Sequence, residues 1–392
     1  MKKLTAMLLV LIMVLSFGAC GNGDAKKEKE NDQKTEDNQK TEEKSEAGND
    51  TSVESGSTEA DFVKKGYKIA YILNTTSTDI FQMAVNGAQE TAKALGMTCD
   101  VYFTDTDNVK FQDYVNTCAN QGYDAMFLSH GNKETAYDLV DMLTKKGIKV
   151  VCFDTQLVDS NGVNTGIKGV TQMFQDDQKL ADLTLDYICN TIYPDKVAAK
   201  EPIKILKIWR GPGISPFDRR QETYLKYEEQ GIIETLEVLG PTDPANAEAS
   251  LAQVMASALP KYPEGTIDAI WGCYDAYTRG AYIALLEAGR TDIPVVSVDI
   301  SNQDINYMLD GSEVWRACST VDFTTIGQQG VRLLAMKLNN EETEDVYNLT
   351  PSLVTYDQLD KDSNVLNLKD YVEGYGVNDD HITEWMKPYL VK

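Results

Sequence analysis

Histidine is nearly absent from this 392-residue chain, which has only His130 and His381. A zinc site built on imidazole donors therefore has almost nothing to draw on. Cysteine is sparse and never paired at the Cys-x-x-Cys spacing. Of the seven present, Cys152 and Cys273 lie inside apolar, strand-like runs, where a free thiol behaves as a small hydrophobe. Positive charge is also short: 37 Lys and Arg face 61 Asp and Glu, a formal net charge of −24. Nucleic acid is bound by Lys and Arg displacing counterions from phosphate, and no basic stripe exists here, so nucleic acid is excluded as a partner. The lone Gly211-Pro212-Gly213 is a loop, since a phosphate cradle needs Gly-x-Gly-x-x-Gly or a Walker lysine. No Gly-x-Ser-x-Gly nucleophile motif occurs. Asp105 and Asp107 lack the glycine and distal glutamate of a calcium loop and read as a solvated, helix-capping turn. No metal and no cofactor is expected. The apolar run from Leu4 to Phe17 is too short to span a bilayer comfortably, which takes about 20 residues.

That run has another reading. Lys2 and Lys3 precede it and Gly18-Ala19-Cys20 follow it, giving the charged start, short apolar stretch and small residues of a secretory signal. Leu15 to Gly21 resembles the bacterial lipobox, in which cleavage falls before the cysteine and its thiol carries a diacylglycerol. Phe17 stands where a smaller aliphatic residue is usual. The resemblance implies a signal peptide over 1–19 and a lipidated, palmitate-bearing Cys20. The protein is thereby expected on the extracellular face of the cell membrane, held by its lipid. From Gly21 to Ala60 the only large aliphatic or aromatic residue is Val53. Such a segment cannot bury enough apolar surface to offset its ordering entropy, so residues 20–60 are expected to form a disordered linker.

Beyond Gly66 the chain alternates short apolar strands with amphipathic helices. Tyr67–Leu73, Thr98–Phe103, Asp124–Leu128 and Ile148–Phe153 read as strands. Asp79–Leu95, Asn108–Gln121 and Lys133–Lys146 read as helices, with Gly96, Gly122 and Gly147 just past their ends. After a pause at Asn161–Gly169 the alternation restarts, through a helix at Asp176–Ile192 and on to Thr324–Leu338. Nearly continuous apolar strands separated by helices mean parallel sheets covered on both faces. The fold class is α/β, with two doubly wound parallel-sheet lobes joined by a multi-strand hinge. Residues 66–172 plus 322–349 are expected to form the N-terminal lobe, and 173–321 plus 350–392 the C-terminal lobe. The hinge is expected near Gly169–Gln172, Val298–Ser301 and Val321–Thr324.

Ligands of open parallel sheets bind beyond the carboxyl ends of the strands. Those ends carry Thr78 and Phe81, Ser129-His130, Asp154-Thr155, Trp209-Arg210, Tyr274-Asp275 and Asp299, with Arg219 and Arg220 on the helix opened by Ser215. A carboxylate can accept from two adjacent hydroxyls, and a guanidinium can donate to two oxygens in fixed geometry. Aromatic rings offer a flat apolar surface to the C–H face of a sugar. The plainer readings are a helix N-cap for Asp275, a solvated helix face for Arg220 beside Arg219, and core packing for Trp271 and Trp315.

On these residues the region from Tyr67 to Tyr356 resembles the ribose-binding, type I periplasmic sugar-binding proteins of ABC importers. The matching pieces are Phe81 with Gly87-Ala88, the strand Val150–Asp154, the Arg220 helix, Tyr274-Asp275 before Gly280-Ala281, and Val296–Asp299. The resemblance implies that Phe81, Asp154, Arg220 and Asp299 hold a carbohydrate-like ligand, with Thr78, Ser129, Thr155 and Tyr274 completing the lining. It also implies delivery to an ABC permease, and a monomer is expected. The departures are Tyr274 where the family commonly has Asn, Thr78 near another usual Asn, Thr155 where Arg is frequent, and Val298 where an aromatic is usual. A glutamine expected near Val321 or Asp322 is missing too, so the ligand is open among sugars, polyols and nucleoside-like compounds. Two other functions share the lobes: a sensory receptor serving a membrane kinase or chemoreceptor, and an enzyme acting on carbohydrate through two carboxylates. The C-terminal stretch from Asp360, with Trp385 and Tyr389, is expected to pack on the second lobe.

Overall fold

A computed structural model describes residues 59–391. The expected signal peptide over 1–19, the expected lipidation at Cys20 and the expected linker as far as residue 58 lie outside the described residues. A helix, Glu59–Lys65, opens the described chain and takes in Ala60, the last residue expected of the linker.

The first lobe is built on a six-stranded sheet. Its strands are β1 (Lys68–Leu73), β2 (Thr98–Phe103), β3 (Ala125–Ser129), β4 (Lys149–Phe153), β5 (Thr171–Phe174) and β11 (Val346–Asn348), in the order β11-β5-β4-β3-β1-β2. All of its pairings are parallel. The second sheet repeats the plan with β6 (Ile203–Ile208), β7 (Ile233–Leu239), β8 (Ala269–Gly272), β9 (Val295–Val298), β10 (Trp315–Thr320) and β12 (Ser352–Thr355), ordered β12-β10-β9-β8-β6-β7. Here β12 alone runs antiparallel, against β10. In each sheet the strand order reverses between two neighbours, β1 and β3 or β6 and β8, and opens a crevice at their carboxyl ends.

The sequence explains the layering. Residues of β3 are buried throughout, whereas the edge strand β2 has only exposed and half-buried positions. A strand with helices on both faces must be apolar on both. Ala70 and Ile72 of β1 join one core with Phe111, Val115, Leu139 and Val140. Ile69, Tyr71 and Leu73 face the other way, onto Met83, Ala88 and Val331. Trp271 and Trp315 are core residues with no exposure, as are Cys152 and Cys273. Gly96, Gly122 and Gly147 all take positive φ just past their helices. The helices Asp79–Ala94 and Phe323–Leu338 cross on the first lobe at a close approach. A Cβ on Gly327 would lie 1.8 Å from the carbonyl oxygen of Ala84.

The chain passes between sheets three times: at Gln175-Asp176 after β5, at Val321-Asp322 after β10, and at Leu349–Pro351 between β11 and β12. Of the expected hinge segments only Val321–Thr324 coincides with a crossing. Gly169–Gln172 leads into β5 inside the first lobe, a strand the polar Thr171 and Gln172 had disguised. Val298–Ser301 stays in the second lobe, linking β9 to the helix Asn302–Met308.

The C-terminal stretch also departs from expectation. It begins on the second lobe, where the Val365 amide donates to Asn302 Oδ1 at 2.9 Å. It then runs past the hinge, with Tyr375 buried and its hydroxyl 3.5 Å from the Val321 carbonyl. It ends on the first lobe. There Arg332 Nη1 donates to the Asn378 carbonyl (2.8 Å), His381 bridges Gln329 (2.8 Å) and Glu344 (2.7 Å), and Trp385 packs 4.5 Å from Phe62. Apolar side chains such as Met386, which is fully buried, need a surface to cover, and the first lobe supplies it.

Candidate functional site

Three strand ends deliver side chains to the cleft by the same backbone device. His130, Asp154 and Asp299 each follow a strand directly, after β3, β4 and β9, and each adopts positive φ: 58°, 45° and 69°. Their amides still donate to the neighbouring strand, to Phe153, Met173 and Ser319. The sheet ladder therefore runs to its last bond before the chain turns sharply. Non-glycine residues in this conformation carry strain that clusters at functional sites.

Five charged residues form one alternating row across the lobes. Asp154 of the first lobe accepts from Arg219 Nη2 at 2.7 Å. Arg219 belongs to the helix Ser215–Glu229 of the second lobe, and its Nε donates to Asp177 Oδ2 at 2.8 Å. The other oxygen of Asp177 accepts from Arg220 Nε at 2.8 Å. Arg220 Nη1 then donates to the Cys273 carbonyl (2.6 Å) and to Asp299 Oδ2 (3.0 Å). A buried charge survives only when paired and hydrogen-bonded, and each member of this row has an opposite partner. Burial pushes the Asp177 and Asp299 carboxyls up to about 6, although Arg220 pulls both down. Burial works against the charge of Arg220 itself, but Asp299 and Asp177 outweigh it and hold the guanidinium above its ordinary range.

The row leaves specific atoms unmatched. Asp299 Oδ1 is buried with no hydrogen-bond partner among the described residues, and so is Gln175 Oε1 at the first crossing. Gln175 Nε2 donates to Asp154 Oδ2 at 2.9 Å. The Trp209 Nε1 donor is likewise buried and unmatched. Buried polar atoms are normally satisfied, so the free oxygens of Asp299 and Gln175 mark where a partner is missing beside the row.

Aromatic groups flank both ends of the row. In the first lobe His130 meets Phe81 and Phe153 edge-on, at 5.4 and 5.5 Å between ring centroids, and its Nε2 lies 3.8 Å from Asp154. Burial pushes the His130 imidazole down, with Arg219 adding to the effect and Asp154 opposing it. In the second lobe Phe217 lies 5.4 Å from Tyr274 and 5.6 Å from the Arg220 guanidinium carbon.

Of the residues expected in the site, Asp154, Arg220 and Asp299 come together in the row. Phe81 reaches it through His130, and Tyr274 through Phe217. Thr78 sits exposed before the first residue of the helix Asp79–Ala94. Ser129 and Thr155 are placed behind the site. Ser129 Oγ is 2.7 Å from His130 Nδ1, while Thr155 Oγ1 receives the Gly131 amide (2.8 Å) and donates to the Phe153 carbonyl (2.9 Å). Both set the shape of the loop after β3. Asp275 is not a helix N-cap, the place Tyr274 takes; its carboxylate binds Arg279 at 2.9 Å. The sequence reading named Arg219 beside Arg220 but gave it no part in holding the ligand, and it missed Asp177 and Gln175. The signal for Asp177 and Gln175 was β5, whose end they follow. For Arg219 it was the doubled arginine itself, read as a sign of solvent. Asp107 caps its helix, accepting from the Val109 and Lys110 amides. No cluster of metal-ligating side chains occurs among the described residues. Nor is any described helix long and apolar enough to cross a membrane.

Solved structures share this architecture. A crystal structure of a sugar ABC transporter from Yersinia enterocolitica is 33% identical, covering 84% of this chain and 96% of its own, with a TM-score of 0.71. The 5-methylthioribose transporter solute-binding protein of Thermotoga lettingae, in complex with 5-methylthioribose, has the same fold at 23% identity. That alignment covers 83% of this chain and 98% of the other, with a TM-score of 0.69. An ABC transporter solute-binding protein from Agrobacterium vitis, with bound allitol, matches in fold at 20% identity, covering 78% and 99%, with a TM-score of 0.63. No curated protein matches the chain. The family model of the periplasmic binding protein domain matches residues 69–342, a span that includes the whole charged row from Asp154 to Asp299, and this chain belongs to the periplasmic binding protein family.

Proposed function

We propose that this chain is an extracytoplasmic solute-binding lipoprotein that captures a sugar or sugar-like compound between its lobes and hands it to an ABC permease. The observation that carries the reading is the alternating row from Asp154 to Asp299, which ends in an unmatched carboxylate oxygen. A ligand rich in hydroxyls supplies the missing donors, and the flanking rings suit its C–H faces. The sugar transporter from Yersinia and the allitol and 5-methylthioribose complexes support this ligand class. Three chain crossings suit hinge closure, in which the closed form must bind ligand better than the open form if the permease is to tell them apart.

The role contains no catalytic step. A carbohydrase needs two carboxylates facing one bond, whereas Asp154 is covered on both oxygens by Arg219 and Gln175. Cys20 supplies the membrane anchor, and the protein acts as a monomer. Calorimetry of the purified protein against sugars, polyols and nucleosides tests the reading. A saturable heat with unchanged ligand recovered afterwards is expected. Failure of every compound to bind, or recovery of a converted product, would overturn it. For the anchor, Cys20→Ser is expected to release the protein from membranes, and persistent lipid labelling of that variant would refute it.

A further inference from the structure

Arg219 is the one member of the charged row that reaches across the cleft, and its donors are nearly all committed. Nε and Nη2 both donate to Asp177, Nη2 also to Asp154, and Nη1 to Ser215 Oγ at 2.7 Å. Its guanidinium carbon lies 4.5 Å from the ring centre of Phe174, the last residue of β5. Asp154 is correspondingly closed off. Its side chain has no solvent exposure, Oδ1 being held by Arg219 and Oδ2 by Gln175. At the far end of the row Asp299 has an oxygen to spare, the buried and unpaired Oδ1. A ligand therefore finds Asp299 ready, and Asp154 already taken by a donor from the opposite lobe.

We infer that Arg219 is a specificity-determining residue that competes with the ligand for Asp154. The inference rests on the cleft being the binding site proposed above. A ligand that displaces Arg219 Nη2 must offer Asp154 Oδ1 a hydroxyl in its place. It must also offer the released N–H an acceptor, because a half-buried guanidinium left without one is penalised. A hydroxyl set between the two groups meets both demands, donating to the carboxylate and accepting from the N–H. The ligand must therefore bring a hydroxyl to this point, and a compound without one there cannot make the exchange. Each ligand replaces an existing charge-assisted bond rather than filling an empty acceptor, so Arg219 sets a threshold that screens out poorly hydroxylated compounds.

The test is calorimetry on the full chain with D-allose, allitol and 5-methylthioribose as probes, comparing wild type with Arg219→Gln and Arg219→Lys. Glutamine removes the cation, while lysine keeps a charge beside Asp177 without the fork that spans both carboxylates. If Arg219 competes, both variants bind the best probe more tightly, by about tenfold for the loss of one such competing bond. Equal or weaker binding by folded variants, checked by circular dichroism, would overturn the role of Arg219 and leave the binding site standing. No binding of any probe by wild type would overturn the reading of the cleft, and this inference with it.

Discussion

Replacing Arg220 by glutamine should destabilise the protein by an amount that depends on pH, and the structure sets both size and sign. Arg220 is 1% exposed and neutralises two carboxylates, Asp177 at 2.8 Å and Asp299 at 3.0 Å. Removing one partner of a buried ion pair costs about 3–5 kcal/mol, because the charge left behind is neither solvated nor paired. Here the remaining groups can escape by taking up protons. Both carboxyls already sit at about 6, above the ordinary Asp value near 4, so protons stabilise the fold. That stability is complete below about pH 4 and is lost as pH rises through about 6. Arg220 is what pulls both values down, so without it they climb further and the loss continues at higher pH. At pH 5 wild type and variant both carry largely protonated carboxyls, and the penalty should shrink to about 1 kcal/mol; at pH 7.5 it should reach the full 3–5. Urea unfolding followed by circular dichroism at the two pH values, at constant ionic strength, measures the difference. An equal penalty at both, or a larger one at pH 5, would refute the reasoning.

Ligand affinity should follow Asp299 in the opposite direction. A hydroxyl donating to Oδ1 requires the ionised form, so with the carboxyl at about 6, binding at pH 5 should be about tenfold weaker than at pH 7.5. Asp299→Asn should flatten that profile in calorimetric titrations, and a slope that survives the substitution counts against Asp299 as the acceptor. Gly327→Val forces a side chain into the Ala84 carbonyl, where even a Cβ would sit at 1.8 Å. Overpacking of this kind costs about 1–3 kcal/mol or more, so the variant should melt several degrees lower, and an unchanged melting temperature would show that the helix crossing yields.

The regular part of the fold was legible because each signal was local. Apolar runs such as Val150–Phe153 and the glycines after three helices need no knowledge of the rest of the chain. The strand β5 escaped because four residues, two of them polar, carry too little pattern, and with it went Gln175 and Asp177. Asp154, Arg220 and Asp299 were found because strand ends and a helix opening are local features too. Arg219 was misjudged for the opposite reason. Its partner Asp154 lies 65 residues away in the other lobe, and only the meeting of the lobes turns a surface-like arginine pair into the centre of a charge row. The C-terminal stretch likewise carries no mark of which lobe it covers.

The Phe62–Trp385 contact bears on which half of the protein does the moving. It brings the first helix of the described chain and its last residues to one lobe, so the chain enters and leaves the folded body on the same side of the hinge. Whatever grips the polypeptide before Glu59 takes hold of that lobe first. In the proposed closure the second lobe, attached through the crossings and the strap from Val365, moves relative to the lobe that carries both of these ends. A label meant to report the proposed closure belongs on the second lobe, and a purification tag at the C-terminus rides with the first.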